Sequence, residues 1–263
     1  MTGADGPKRP PKRLLLVHGF GGSREDFTEW LPRLEDHGWE CLAPQLPGHG
    51  DGHGETGERY GLQPFADFVL GVADANHWDR FVLLGHSMGG MVAQLVALQV
   101  PQRIDGLILM GTGHGPLDLD PDLLEAGKAL VRNGGMPALV EAVRGQPDTP
   151  AHERLLKERI GYAEFMEAKA LAMDPRMWLT MVDEFTTQPD RLDALRHLDV
   201  PALVMAGEQD DRFLEPCRRL AAALPRARLA VIADAGHSPQ FEAPAAWWDA
   251  MCAFLSALAP APS

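Results

Sequence analysis

The chain predicts an α/β protein, a mostly parallel sheet flanked by helices with an all-helical stretch inserted before the last strands. Three observations carry this expectation. Short apolar runs of strand length alternate with segments whose apolar residues recur at helical spacing, the pattern of crossovers around a sheet buried on both faces. Several of the runs end in glycine-rich loops, where such sheets place their ligands. Between residues 113 and 197 the alternation stops and only helical stretches remain.

Taken in order, Leu14 to Val17 is the first buried strand and stops at His18-Gly19-Phe20-Gly21-Gly22. Ser23 stands where it could cap a helix from Asp26 to His37, with Phe27, Trp30, Leu31 and Leu34 on one face. Glu40 to Ala43 reads as a short strand leading into Pro47-Gly48-His49-Gly50. Residues 48 to 61 are nearly all Gly, His and acidic, so they are expected to form an irregular surface loop. A metal site of His49, Asp51, His53 and Glu55 is weighed and set aside, because glycine at alternate positions preorganises nothing. Leu62 to Trp78 is an amphipathic helix carrying Phe65, Phe68, Val69, Val72 and Ala73.

The stretch from Phe81 to Val100 organises the rest. An apolar strand to Leu84 runs into Gly85-His86-Ser87-Met88-Gly89-Gly90 and then a long apolar helix ended by Pro101. At a tight strand-to-helix turn, side chains two positions either side of the serine would collide, which is what Gly85 and Gly89 avoid. The Ser87 hydroxyl is thereby displayed at a helix N-terminus, where unpaired N–H groups favour developing negative charge. These features suit a nucleophile.

Ile104 to Met110 is the next strand. Beyond it, helices are expected over Asp122 to Arg132, Pro137 to Arg144 and Tyr162 to Met173, with Thr149-Pro150 and Asp174-Pro175 as further helix starts. This stretch holds Met136, Met166, Met173, Met177 and Met181 beside Phe165, Trp178 and Phe185. Such side chains either line an adaptable apolar pocket or simply pack the insertion, and His114 lies near the sheet edge. Arg144, Arg154 and Arg176 either bind a carboxylate or sit on solvated helix faces. The alternation resumes with strands Val200 to Ala206 and Leu229 to Ile232, and helices Glu215 to Leu224 and Ala245 to Leu258.

Composition excludes several function classes. The 263 residues are 45% hydrophobic and 23% charged, ordinary for a globular protein, and carry a formal charge of −13. That charge argues against nucleic acid and against an anionic membrane surface as partners. Cys41, Cys217 and Cys252 are far apart and match no metal-ligand spacing, so no disulfide framework and no metal is expected. With no secretory or membrane-spanning apolar run, a cytoplasmic location is expected.

A serine needs a base, and the base needs a carboxylate that fixes its tautomer. Gly207-Glu208-Gln209-Asp210-Asp211 and Gly236-His237-Ser238-Pro239 follow two of the strands, so Ser87, Asp210 and His237 would meet at one sheet edge. Asp211 competes with Asp210, and His18, His86 and His114 compete with His237.

With these motifs the chain, over about residues 12 to 258, resembles α/β-hydrolase fold enzymes with a helical cap, in which the triad follows the same order. The resemblance implies a core of residues 1–112 and 198–263 and a cap of 113–197. It implies Ser87 as nucleophile, His237 as general base and then acid, Asp210 as orienting carboxylate, and the backbone N–H groups of Phe20 and Met88 as oxyanion hole. It prefers Asp210 over Asp211, as the third residue after Gly207. His114, Phe165, Met177, Trp178 and Met181 become pocket candidates. The strand pair that usually precedes the His-Gly strand in this family is missing here, so about six strands are expected, with an edge that a partner copy could cover. The chain is expected to be a monomer or homodimer without cofactors.

The activity so implied is cleavage of a carboxylic ester, lactone or thioester of a small to medium apolar small-molecule substrate through an acyl-enzyme. Serine at the elbow excludes the relatives that use aspartate there. Carbon–carbon bond hydrolases of the family often carry an aromatic residue after the histidine, where this chain has Ser238; these and perhydrolases remain alternatives on the same triad. A ligand receptor that retains the triad is the non-enzymatic alternative.

Overall fold

The computed structural model describes residues 12–51, 59–146 and 148–258. Six strands, β1 (Lys12–Val17), β2 (Trp39–Leu42), β3 (Phe81–His86), β4 (Ile104–Met110), β5 (Ala202–Gly207) and β6 (Ala227–Ile232), form one sheet. Their order is β2-β1-β3-β4-β5-β6 and every pair is parallel. All six strands therefore end at the same edge, and the loops that carry Phe20, Ser87, Asp210 and His237 leave from it.

Alternation along each strand sends neighbouring residues to opposite layers. Leu14, Leu16, Val82, Leu84, Ile108 and Met110 face a layer with α1 (Glu25–Thr28), α2 (Leu31–Asp36) and α12 (Pro244–Ala257), where Phe27, Trp30, Trp247 and Met251 are buried. Leu15, Val17, Leu83, Leu107 and Leu109 face α3 (Leu62–Ala75), α4 (Met88–Gln99) and α10 (Leu214–Ala223). Burial on both sides is why the strands read as continuous apolar runs. The edge strands are the exceptions: Leu229 and Val231 of β6 are exposed, and only Trp39 of β2 is buried.

Between β4 and β5 lie α5 (Pro121–Val143), α6 (Pro150–Glu158), α7 (Tyr162–Leu171), α8 (Pro175–Thr187) and α9 (Leu192–Leu195). The two helices expected over 122–132 and 137–144 are limbs of α5, which kinks at Gly135 (φ 66°, ψ −164°) just ahead of Pro137. Thr149 Oγ1 accepts the His152 N–H at 3.2 Å and Asp174 Oδ1 accepts the Arg176 N–H at 2.8 Å, so both proposed starts are capped.

Two expectations need correction. The single helix from Asp26 to His37 is split into α1 and α2, because Pro32 in the first turn of α2 has no N–H to donate to the Thr28 carbonyl four residues back. Ser23 contributes its N–H to Asp26 Oδ2 (3.2 Å) instead of a side-chain cap. The loop after Gly48 is not wholly at the surface. Gly48 (φ 76°) and Gly50 (φ 50°) turn the chain inward, and His49 is fully buried, its ring edge-on to His18 at 4.9 Å. Asp51 is exposed and ion-paired with Arg24, while His53 and Glu55 lie outside the described residues. Among the described residues no His, Cys, Asp and Glu cluster is placed to hold a metal, and no helix is long and apolar enough to cross a membrane.

Candidate active site

Ser87 joins β3 to α4 at φ 55° and ψ −118°, a conformation that non-glycine residues rarely adopt and that the surroundings must enforce. The enforcement is visible. Its N–H donates to the Met110 carbonyl at 2.8 Å, and its own carbonyl accepts the Thr112 hydroxyl at 2.7 Å. A Cβ on Gly85 would stand 2.1 Å from the Gly89 carbonyl oxygen, and one on Gly89 would stand 2.3 Å from that of Val17. Only glycine lets the elbow close against itself and against the end of β1. Ser87 Oγ hydrogen-bonds to none of the described residues, the loose arrangement common before substrate is bound.

His237 Nδ1 lies 2.8 Å from Asp210 Oδ2. A carboxylate only accepts, so Nδ1 carries the proton and Nε2 keeps its lone pair. Asp210 is 5% exposed and its other oxygen accepts the Phe213 N–H at 3.2 Å, whereas Asp211 is exposed. The Phe213 ring stacks on the imidazole with centroids 5.1 Å apart. His86, the residue before Ser87, donates from Nε2 to the His237 carbonyl at 2.8 Å. This bond ties the loop after β6 to the elbow after β3.

Two of the rival histidines, His18 and His86, are held neutral. Burial pushes His86 down to about 4, with the neighbouring His237 adding to the shift, and burial likewise pushes His18 down to about 4. His18 donates from Nδ1 to the Gly19 carbonyl (2.9 Å) and accepts the Leu46 N–H at Nε2 (3.1 Å), which leaves it no proton-transfer role.

The loop after β1 backs onto Ser87: a Cβ on Gly19 would stand 3.0 Å from Ser87 Cβ. The backbone N–H groups of Phe20 and of Met88, the first residue of α4, donate to none of the described residues. The Phe20 ring meets Phe185 edge-on at 5.2 Å and Trp178 at 6.4 Å, so α8 of the insertion packs on this loop. Met177 is buried against Gly48 and Met181 is buried in the same cluster. His114 is engaged elsewhere, with Nδ1 3.0 Å from Asp190, and Phe165 packs with Tyr162 and Phe241. Of the insertion's arginines, Arg144 pairs with Glu167, Arg176 with Asp174, and Arg154 donates to backbone carbonyls.

Sequence reading missed Phe213, Gln209 and Glu242, all of which touch the Asp210 or His237 loops. Only their closeness in sequence to Asp210 and His237 could have marked them. A cleft of about 610 Å³ lies at the far, N-terminal edge of the sheet, lined by Ile104, Pro201 and Arg228 among others, and contains none of the residues above.

Residues 14–250 match the model of the family described as the alpha/beta hydrolase family. A putative 2-succinyl-6-hydroxy-2,4-cyclohexadiene-1-carboxylate synthase of Bacillus subtilis is 25% identical, covering 97% of this chain and 94% of its own. A 2-hydroxy-6-oxononadienedioate/2-hydroxy-6-oxononatrienedioate hydrolase of Burkholderia vietnamiensis is 30% identical over 87% of this chain and 82% of its own. The solved structure of a thermophilic esterase from Thermogutta terrifontis superposes with a TM-score of 0.80 at 26% identity, covering 94% of this chain and 90% of that one. A match over nearly the whole chain, on the strand order and elbow described above, means that the protein belongs to the alpha/beta hydrolase family.

Proposed function

We propose that this hydrolase cleaves a carboxylic ester, lactone or thioester of a small to medium apolar acyl group through an acyl-enzyme on Ser87. The observation that carries the reading is the bond from His237 Nδ1 to the buried Asp210 carboxylate, on a loop that His86 ties to the serine elbow. With Nε2 unprotonated, His237 takes the Ser87 proton as Oγ attacks the carbonyl, then returns it to the departing alcohol or thiol. Water repeats the sequence on the acyl-enzyme and releases the acid. The Phe20 and Met88 N–H groups receive the oxyanion, each donor contributing about 3 kcal/mol. Residues 113–197 act as a cap, and Trp178 and Phe185 on α8 give the acyl group an apolar wall.

A second reading, hydrolysis of a carbon–carbon bond, uses the same three residues and is favoured by the similarity to the Burkholderia hydrolase of 2-hydroxy-6-oxo acids. A fluorophosphonate probe and a panel of p-nitrophenyl esters of rising chain length, run beside a 2-hydroxy-6-oxo-dienoate, separates the readings. The ester reading expects labelling that Ser87→Ala abolishes and higher kcat/KM on short to medium esters than on the dienoate. The reverse preference transfers the assignment to the second reading, and an unlabelled wild type overturns the nucleophile.

A further inference from the structure

Glu242 closes the short helix α11 (Pro239–Glu242), and its side chain is almost wholly buried. Buried carboxylates persist only where their lone pairs are used. Oε2 accepts the N–H of Gly236 at 2.7 Å and the N–H of Ser238 at 3.1 Å, the amides on either side of His237. A single oxygen thus fixes the backbone entering and leaving that residue, through bonds that the negative charge strengthens. Oε1 faces His152 Nδ1 of α6 at 3.7 Å.

The same helix meets these loops at further points. Arg154 Nη2 donates to the carbonyls of Asp234 at 2.8 Å and Glu242 at 3.0 Å. The Ala151 N–H donates to Gln209 Oε1 at 2.8 Å, in the residue before Asp210. Thr149, the cap of α6, lies so close to Gly236 that a Cβ there would stand 2.5 Å from its hydroxyl. The N-terminal half of α6 therefore holds the loop of Asp210 and the loop of His237 at once, while α8 packs on Phe20.

We propose that Glu242 is the positioning residue of the base, and that α6 braces the Asp210 and His237 loops with it, so that the insertion sets how His237 is aimed at Ser87. The proposal rests on the reading of His237 as general base. A base must lie within hydrogen-bond reach of the proton it removes, and small misplacements are costly in rate while leaving substrate binding intact. Truncating Glu242 frees both flanking amides. Glutamine keeps an acceptor oxygen for them.

The test compares Glu242→Ala, Glu242→Gln, Arg154→Ala and His237→Ala by the rate of fluorophosphonate labelling of Ser87 and by kcat and KM on p-nitrophenyl acetate. Glu242→Ala is expected to lower kcat and labelling rate by about 100-fold with KM within about twofold, and Glu242→Gln to restore most of the loss. Arg154→Ala, which leaves no buried charge unpaired, is expected to lower both rates several-fold at unchanged KM. A folded Glu242→Ala enzyme with near wild-type kcat, a loss confined to KM, or no rescue by glutamine overturns the proposal. If Glu242→Ala does not fold, unchanged rates in Arg154→Ala overturn it. Full activity in His237→Ala would instead show that the triad reading has failed.

Discussion

At the scale of single residues, the acidic pair Asp210 and Asp211 shows what adjacency in sequence hides and geometry separates. Asp210 is buried and bonded to His237 Nδ1, while its neighbour points to solvent. An amide at position 210 can donate to Nδ1, which would move the imidazole proton to Nε2, the nitrogen that the proposed mechanism uses as acceptor. Asp210→Asn is therefore expected to lower kcat by about 10⁴ with the fold intact, and Asp211→Asn to leave it within about twofold. Steady-state ester kinetics on the two variants check this, and an equal effect of both would contradict the bond. That Ser87, Asp210 and His237 lie on loops leaving one sheet edge was legible because each follows a recognisable strand. Glu242 and Gln209 were not, since nothing in a local pattern says that a carboxylate or an amide will be folded under a loop.

At the scale of elements, polar contacts join the insertion to the core at several points, and the most buried ion pair among them is Lys169 on α7 with Asp26 on α1, 2.5 Å apart. Asp26 Oδ2 also accepts the Ser23 N–H, two residues beyond Gly21 of the loop that carries Phe20. Removing one partner of a buried pair strands the other's charge. Lys169→Met is expected to cost about 3 to 5 kcal/mol, whereas Asp26→Leu with Lys169→Met together costs much less. Urea unfolding of the single and double variants measures the difference, and a single variant as stable as wild type would contradict the burial. This pairing spans 143 positions and left no trace in the sequence. The strands were readable because two-sided burial makes them uniformly apolar, and the caps Thr149 and Asp174 because each precedes a proline. The split at Pro32 was missed because the apolar spacing of Phe27, Trp30, Leu31 and Leu34 continues across it. His49 was misplaced because its neighbours are polar and glycine-rich, and only the two left-handed glycines carry it inward.

At the scale of the whole molecule, the edge where all six strands end gathers buried histidines whose neutral forms the fold requires. His18 and His86 are each pushed down to about 4 by burial, and burial holds His49 well below its ordinary value of 6.5. A histidine whose folded value is depressed takes up its proton more readily in the unfolded chain. Its contribution is complete above about pH 6.5 and is lost as pH falls toward the folded value. His152 acts in the opposite sense: the Glu242 carboxylate raises it, so its contribution is present below 6.5 and lost as pH rises through the folded value. One group opposes three, so the balance follows the buried set. Between pH 7.5 and 5, His18 and His86 are each expected to remove about 2 kcal/mol of stability. Urea denaturation followed by tryptophan fluorescence at pH 7.5 and 5.0 should show a lower midpoint at pH 5.0 with little change in slope. An equal or higher midpoint at pH 5.0 would mean that these imidazoles accept protons in the folded state, and that the strand-end edge is open to water rather than sealed as the packing of His18 against His49 requires.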